Sequence, residues 1–187
     1  MATATELPID TGASATDMAN AIFGSGVVVN GATYFGDPLS SGIYSDGDTV
    51  SPEATPGDTG VILSTGHAED FTNSDGSQNT NQVANRTTNT NGVDGDADFD
   101  ALANSGTTDA SILEVDFTPT GDFITIDFVL SSEEYPEFIN SQFNDVIGVW
   151  VNGVPATVSI GDGTASIGNI NGGETENIYR DLSLIHI

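Results

Sequence analysis

The chain contains no cysteine and no lysine. The first absence excludes disulfides and thiolate metal sites, and leaves the redox compartment open. The second excludes a phosphate-binding loop of the Walker type. Arg86 and Arg180 stand alone against 28 acidic residues, for a formal net charge of -26. Such a surface repels phosphate backbones and anionic headgroups, so neither nucleic acid nor a membrane surface is an expected partner. With His67 and His186 as its two histidines, the chain cannot build a zinc site of the His and Cys type, and no serine sits in a G-x-S-x-G context. No apolar run approaches the roughly 20 residues of a membrane span, so no membrane insertion is expected. The segment "MATATELPIDTGASATDMANAIFG" has neither a basic n-region nor a long apolar h-region and does not read as an N-terminal secretory signal. What this surface attracts is a cation.

What is present is a folding chain. It has 187 residues, enough for one domain with a substantial core, and its hydrophobic fraction of 37% argues against disorder despite the charge. Ser14 is placed to cap a short helix whose Ala15, Met18, Ala19 and Ile22 share one face, with Gly24 placed to end it. After that the period becomes two. "GVVVNGATYFG" (26–36) and "GVILSTG" (60–66) read as strands, as do "SILEVDFT" (111–118) and "DFITIDFVLS" (122–131), the last two joined by the turn "PTGD". "DVIGVWVNGVPATVSI" (145–160) reads as a hairpin turning at Asn152-Gly153, its first arm, Val146 to Val151, apolar on both faces and so central. Residues 37–60 and 68–104 read as long polar loops. Short strands, little helix and glycine-rich turns predict an all-β fold, a β-sandwich or jelly-roll-like architecture with a short N-terminal helix and long acidic loops.

Two stretches concentrate carboxylates. In "DGDADFD", Asp94, Asp96, Asp98 and Asp100 alternate. In an irregular loop that spacing lets several carboxylates converge on Ca2+, which takes six to eight oxygens in flexible geometry. An EF-hand is excluded, since counting from Asp94 puts Phe99 at the glycine position and Ser105 at the bidentate glutamate position. The competing explanation is a solvated turn-forming loop, and alignment of the carboxylates along a strand or helix would defeat their convergence. In "LSSEEYPEFINSQFND", Pro136 ends the preceding strand, so that Glu133 and Glu134 share a loop with Asn144 and Asp145 as a second candidate cation or ligand site. Here the competing explanation is loop geometry, with Tyr135 and Phe138 packed beneath.

The ordered series "TGVILSTGHAEDF", "DGDADFDAL", "DASILEVDFTPTGDFITIDFVLSSEEYPEFINSQFNDVIGVWVNG" and "ASIGNINGG" is similar to the choice-of-anchor L domain of bacterial surface and secreted proteins. The likeness runs from about Met18 to Tyr179, and its most specific element is "FVLSSEEYPEFINSQFNDVIGVWVNG". The resemblance implies an extracellular, non-catalytic module in adhesion or surface-layer roles, held to the cell by one of several C-terminal devices. Similar proteins carry RTX-type calcium repeats or Hint modules, and export of the RTX kind needs no N-terminal signal. No catalytic residue is implied. Relatives continue past "ENIYRD" with further strands, whereas this chain stops at "LSLIHI". The expected organisation is an N-terminal extension (1–13), the domain itself (14–180) and a truncated or non-native tail (181–187), with anchor or repeat modules expected beyond.

Together these readings predict a secreted or cell-surface bacterial module for adhesion or surface display, its loops ordered by structural calcium, with a surface glycan or a protein as ligand. A carbohydrate-binding module stacking sugars on Tyr135, Phe138 or Trp150 is the alternative. A glycoside hydrolase using Glu133 with Glu137 or Asp145 is the second alternative.

Overall fold

The computed structural model describes residues 6–72, 88–122, 124–132, 134–136, 138–157, 163–173, 175, 178 and 179. Its elements in chain order are β1 (Ile9–Asp10), α1 (Ala15–Ile22), β2 (Val27–Phe35), β3 (Ser41–Tyr44), α2 (Gly47–Val50), β4 (Gly60–Leu63), α3 (Ala97–Ala103), β5 (Ile112–Pro119), β6 (Val146–Ile147), β7 (Trp150–Val151), β8 (Val154–Pro155) and β9 (Ala165–Ser166), with a 3₁₀ turn at Ala68–Thr72. The fold is β-rich, with three α-helices and no closed barrel among the described residues. Its chain divides into two compact units, Met1–Asp94 with Thr108–Val129, and Gly95–Thr107 with Leu130–Ile187.

In the first unit, β1, β3 and β4 form an antiparallel sheet with β3 in the middle, pairing Ile9 with Tyr44 and Ser41 with Leu63. A second sheet is the long antiparallel ribbon of β2 and β5, with a register shift between Val29 and Gly31. Helix α1 contacts strands of both sheets. It starts at a capping box: the Asp17 amide donates to Ser14 Oγ and the Ser14 amide to the Asp17 carboxylate, each at 3.2 Å. The Ser14 hydroxyl, which donates to Asp17 Oδ2 at 2.6 Å, and then the Ser14 amide hold the Asp17 carboxyl below the usual range. Met18 and Ala19 are buried under the helix, and Phe23, which ends it, stacks at 5.1 Å on Phe117 of β5. The predicted helix is therefore present, although Ile22 points outward. Residues 6–13, which the sequence places outside the domain, supply strand β1 and the buried Leu7, whose amide donates to Thr72 Oγ1 at 2.7 Å.

The stretch 37–60 is more than a loop. It holds the central strand β3 and the short helix α2, and Tyr44 is buried there with its hydroxyl near Gly60, where an added Cβ would lie 2.6 Å from it. Strand β5 forms as the alternation predicts, but residues 124–131 do not continue into a second strand. They run without secondary structure, and among the described residues none of them has a hydrogen-bond partner. A period-two sequence fits a strand, yet it becomes one only where a neighbour completes the ladder.

In the second unit, β7 and β8 form the predicted hairpin. Trp150 pairs with Pro155 and Val151 with Val154, and Asn152 and Gly153 carry the positive φ angles, 53° and 75°, of a tight two-residue turn. The first arm is not one continuous strand. It breaks at Gly148, over which the ring of Trp150 folds; a side chain there would collide with the indole. Before the break β6 pairs with β9, and after it β7 pairs with β8. The core of this unit includes Ala103, Ala165, Ile167 and the fully buried amide of Asn171, which donates to the carbonyls of Ile167 and Gly168 and accepts from the Gly173 amide.

Candidate functional site

The alternating aspartates enter a helix. Asp96 is the N-cap of α3: its Oδ1 accepts the amides of Asp98 at 3.0 Å and Phe99 at 3.2 Å. Asp98 and Asp100 fall in the first turn, where negative charge faces the positive end of the helix dipole. Residues two apart on a helix point roughly 200° apart, so the spacing that converges in a loop diverges here. Asp100 turns instead to the far side of the helix, where its Oδ1 accepts the Thr107 amide at 2.6 Å and hydroxyl at 2.7 Å. Asp94 belongs to the first unit and accepts the Asp109 amide at 3.0 Å. Among the described residues, no three or more acidic or histidine side chains are grouped so as to hold a metal ion.

Of the second candidate group, Glu134 and Asp145 meet through the Ser132 hydroxyl, and Asn144 is tied to other segments. Glu133 and Glu137 lie outside the described residues. The Glu134 amide donates to Ser132 Oγ at 3.0 Å, and that hydroxyl donates to Asp145 Oδ2 at 2.5 Å. Asn144 spans two segments: its Nδ2 donates to the Ala103 carbonyl at the end of α3, at 3.2 Å, and its Oδ1 accepts the Gly168 amide at 3.0 Å. Both ends of the amide are thus spent on holding the helix against the "SIGNINGG" turn.

The three aromatic residues proposed as a sugar platform are engaged inside the second unit. Tyr135 packs on Tyr179 at 5.1 Å, and its hydroxyl donates to the Ile170 carbonyl. Burial first, then the neighbouring Tyr179 and Asp145, push its pKa up to about 12. Trp150 meets Phe99 edge-on at 5.1 Å, and Phe138 meets Phe143 edge-on at 5.3 Å. Of these rings, Phe143 is 50% exposed. His67 is a loop histidine, 4.0 Å from Asp70.

One acidic residue that the sequence does not single out has the most enclosed carboxylate among the described residues of the first unit. Asp37 is 7% exposed and accepts three N–H bonds: Leu39 N at 2.9 Å, and the amide and side chain of Asn91, each at 3.0 Å. The Leu39 amide first, then those of Asn91, hold its carboxyl below the usual range. Around it, Tyr34 Oη donates to the Asp37 carbonyl at 3.0 Å and lies 2.8 Å from Ser111 Oγ, which donates to the Ser40 carbonyl at 3.1 Å. Thr90 and Asp94 grip Asp109 from the other side. The network fastens residues 88–94 to the body of the unit. The only signal in the sequence is "GDP", an aspartate before proline in a turn.

The family model of the Choice-of-anchor L domain matches residues 9–178, most of the chain. The chain belongs to that family. No curated protein and no solved structure matches it. Choice-of-anchor L membership marks the chain as a surface-associated bacterial module, in a family that is not a known enzyme family, at the cell surface or outside the cell. No helix among the described residues is long and apolar enough to cross a membrane. The match begins at β1, in keeping with the place of that strand in the first sheet.

Proposed function

We propose that this choice-of-anchor L chain is a non-catalytic module displayed outside a bacterial cell, serving adhesion or surface display through a glycan or protein ligand, with its sheets closing as a sandwich or jelly roll. The observation that carries the reading is the family match over 9–178. Its net charge of -26 supports it, since a strongly charged module stays dispersed in the open medium. So does the use of its best-defined polar groups for structure: Asp37, Asp96, Asp100, Asn144 and Tyr135 each satisfy backbone groups. The test is antibody labelling of intact cells of the producing bacterium. Labelling before permeabilisation is the expected outcome; labelling only after lysis would remove the reading.

Calcium is a separable part of the proposal: single carboxylates of the stretch Asp94, Asp96, Asp98 and Asp100 would hold it, since α3 turns them apart and no three are grouped among the described residues. A carboxylate that accepts an amide keeps lone pairs for a metal, and extracellular calcium modules work at Kd of about 10⁻⁴ to 10⁻³ M. At 100 times its Kd an ion bound only to the folded chain adds about 2.7 kcal/mol. The expected result is a rise in Tm from EDTA to millimolar calcium, above that given by sodium at matched ionic strength, and lost in Asp96→Asn, Asp98→Asn. Equal rises in the two salts would leave the aspartates as caps and ties alone.

A further inference from the structure

The segment 124–129 carries the side-chain pattern of a strand and none of its bonds. Ile124, Ile126 and Phe128 alternate with Thr125, Asp127 and Val129, the arrangement of a strand with one apolar face. Every residue of the run is exposed, Ile126 to 44% and Val129 to 42%, so neither face is covered. Among the described residues none of the six has a hydrogen-bond partner, which leaves a row of backbone donors and acceptors open. Strand β5, which precedes it in the same unit, pairs with β2 alone among the described residues. An exposed apolar stretch with unpaired backbone is a template for strand addition.

Charge decides what can add to it. Asp127 lies in the middle of the run and Asp122 just before it, while Glu114 and Asp116 face outward on β5. Both arginines of the chain lie outside the described residues, and the net charge is -26. A second copy pairing antiparallel through this run would oppose like charges locally, near Asp127, and between the whole molecules. A strand with lysine or arginine at alternate positions meets attraction on both scales.

We propose that residues 124–129 form a docking strand that takes up an extended, basic segment of a partner protein by β-addition, its apolar side chains against Ile124, Ile126 and Phe128 and its cationic ones beside Asp127. The inference rests on the surface-module reading, for which it names the class of partner.

The test uses the whole chain and a fluorescein-labelled peptide alternating lysine and valine. Anisotropy reports binding, and hydrogen exchange reports the amides of 124–129. The expected result is saturable binding with slowed exchange across that run. A peptide of the same charge whose alternate amides are N-methylated, and so cannot complete a ladder, binds about tenfold more weakly, as does the lysine peptide to Ile126→Pro; that is the scale of one or two backbone hydrogen bonds. Residue 126 has no bond to lose in the free chain, so the variant keeps the parent Tm and circular dichroism. Asp127→Lys weakens binding of the lysine peptide. Equal binding of the N-methylated peptide, or unchanged binding to Ile126→Pro, would reduce the interaction to a general charge effect and overturn the proposal. Self-association that protects 124–129 while the peptide fails to compete would give the strand to a second copy and overturn it too. Failure of either kind leaves labelling of intact cells unaffected, so the two readings fall separately.

Discussion

Asp37 shows what a carboxylate does in this chain when it is enclosed. It meets three N–H groups, and no donor on Asp37 is needed, so an ionised carboxylate fits where an amide would not. Asp37→Ala leaves the Leu39 and Asn91 amides without their acceptor, and Asp37→Asn turns one acceptor into a donor facing a donor; both are expected to lower Tm, by more than any single exposed aspartate does. The pH dependence follows from the direction of its shift. Its folded pKa lies below the unfolded value, so its contribution is present above about pH 4, the ordinary aspartate range, and is lost as pH falls through the lower folded value. Thermal unfolding followed from pH 6 down to pH 2 checks this: the parent should lose more stability over the range than Asp37→Ala does. Tyr135 shifts the other way. With a folded pKa of about 12 against about 10 unfolded, its contribution is present below pH 10 and lost as pH rises toward 12. Absorbance titration should find one fewer late-ionising phenol in Tyr135→Phe; an unchanged titration curve would remove the burial argument.

Among the elements, α3 separates the two meanings of an aspartate. Asn caps a helix as well as Asp does, so Asp96→Asn should leave Tm nearly unchanged in EDTA, whereas Asp96→Ala should cost about 1 kcal/mol. A chemical-denaturation series on the two variants measures the difference, and equal losses would show that charge rather than capping is what matters there. The same helix shows why the alternation of aspartates misleads. "DGDADFD" has the period of a strand or a converging loop, but "ADFDALA" is a good helical sequence once Asp96 caps it, and helix formation scatters the carboxylates. Elements that were legible have strong local signals: the capping box at Ser14, the β-branched runs of β2, β4 and β5, and Asn152-Gly153. Those that were not depend on partners distant in sequence. Strand β3 is short, with the small Ser41 and Gly42 ahead of Ile43 and Tyr44, and it is central only because β1 and β4 arrive on either side of it. Residues 124–131 have the better strand sequence and no neighbour among the described residues. Gly148 splits an apolar run because a ring two residues on lies over it. Of the candidate site residues, Asp145 bonds Ser132 and Asn144 ties Ala103 to Gly168, partners that sequence spacing does not announce, while Asp37 gives no sign beyond its turn.

At the scale of the whole molecule the excess of 26 negative charges acts against the folds just described, because compaction brings like charges together. Neutralisation by arginine is limited to two side chains, so solvent ions must do most of it. Screening lengths fall from roughly 30 Å at 0.01 M to about 3 Å at 1 M monovalent salt. Charges a helix length apart therefore interact at the low end and not at the high end. The expected rise in Tm over that range is roughly 5 °C, which at about 2–4 °C per kcal/mol for a chain of this size corresponds to between one and three kcal/mol of relieved repulsion. Because screening depends on ionic strength and not on the ion, sodium, potassium and choline chlorides should give one curve. A rise confined to one of the three would mean selective cation binding, and would move the explanation from the surface as a whole to a site. Asp116→Asn on the outward face of β5 should flatten the curve only slightly, as one charge among many, whereas a site ligand would abolish an ion-specific rise outright.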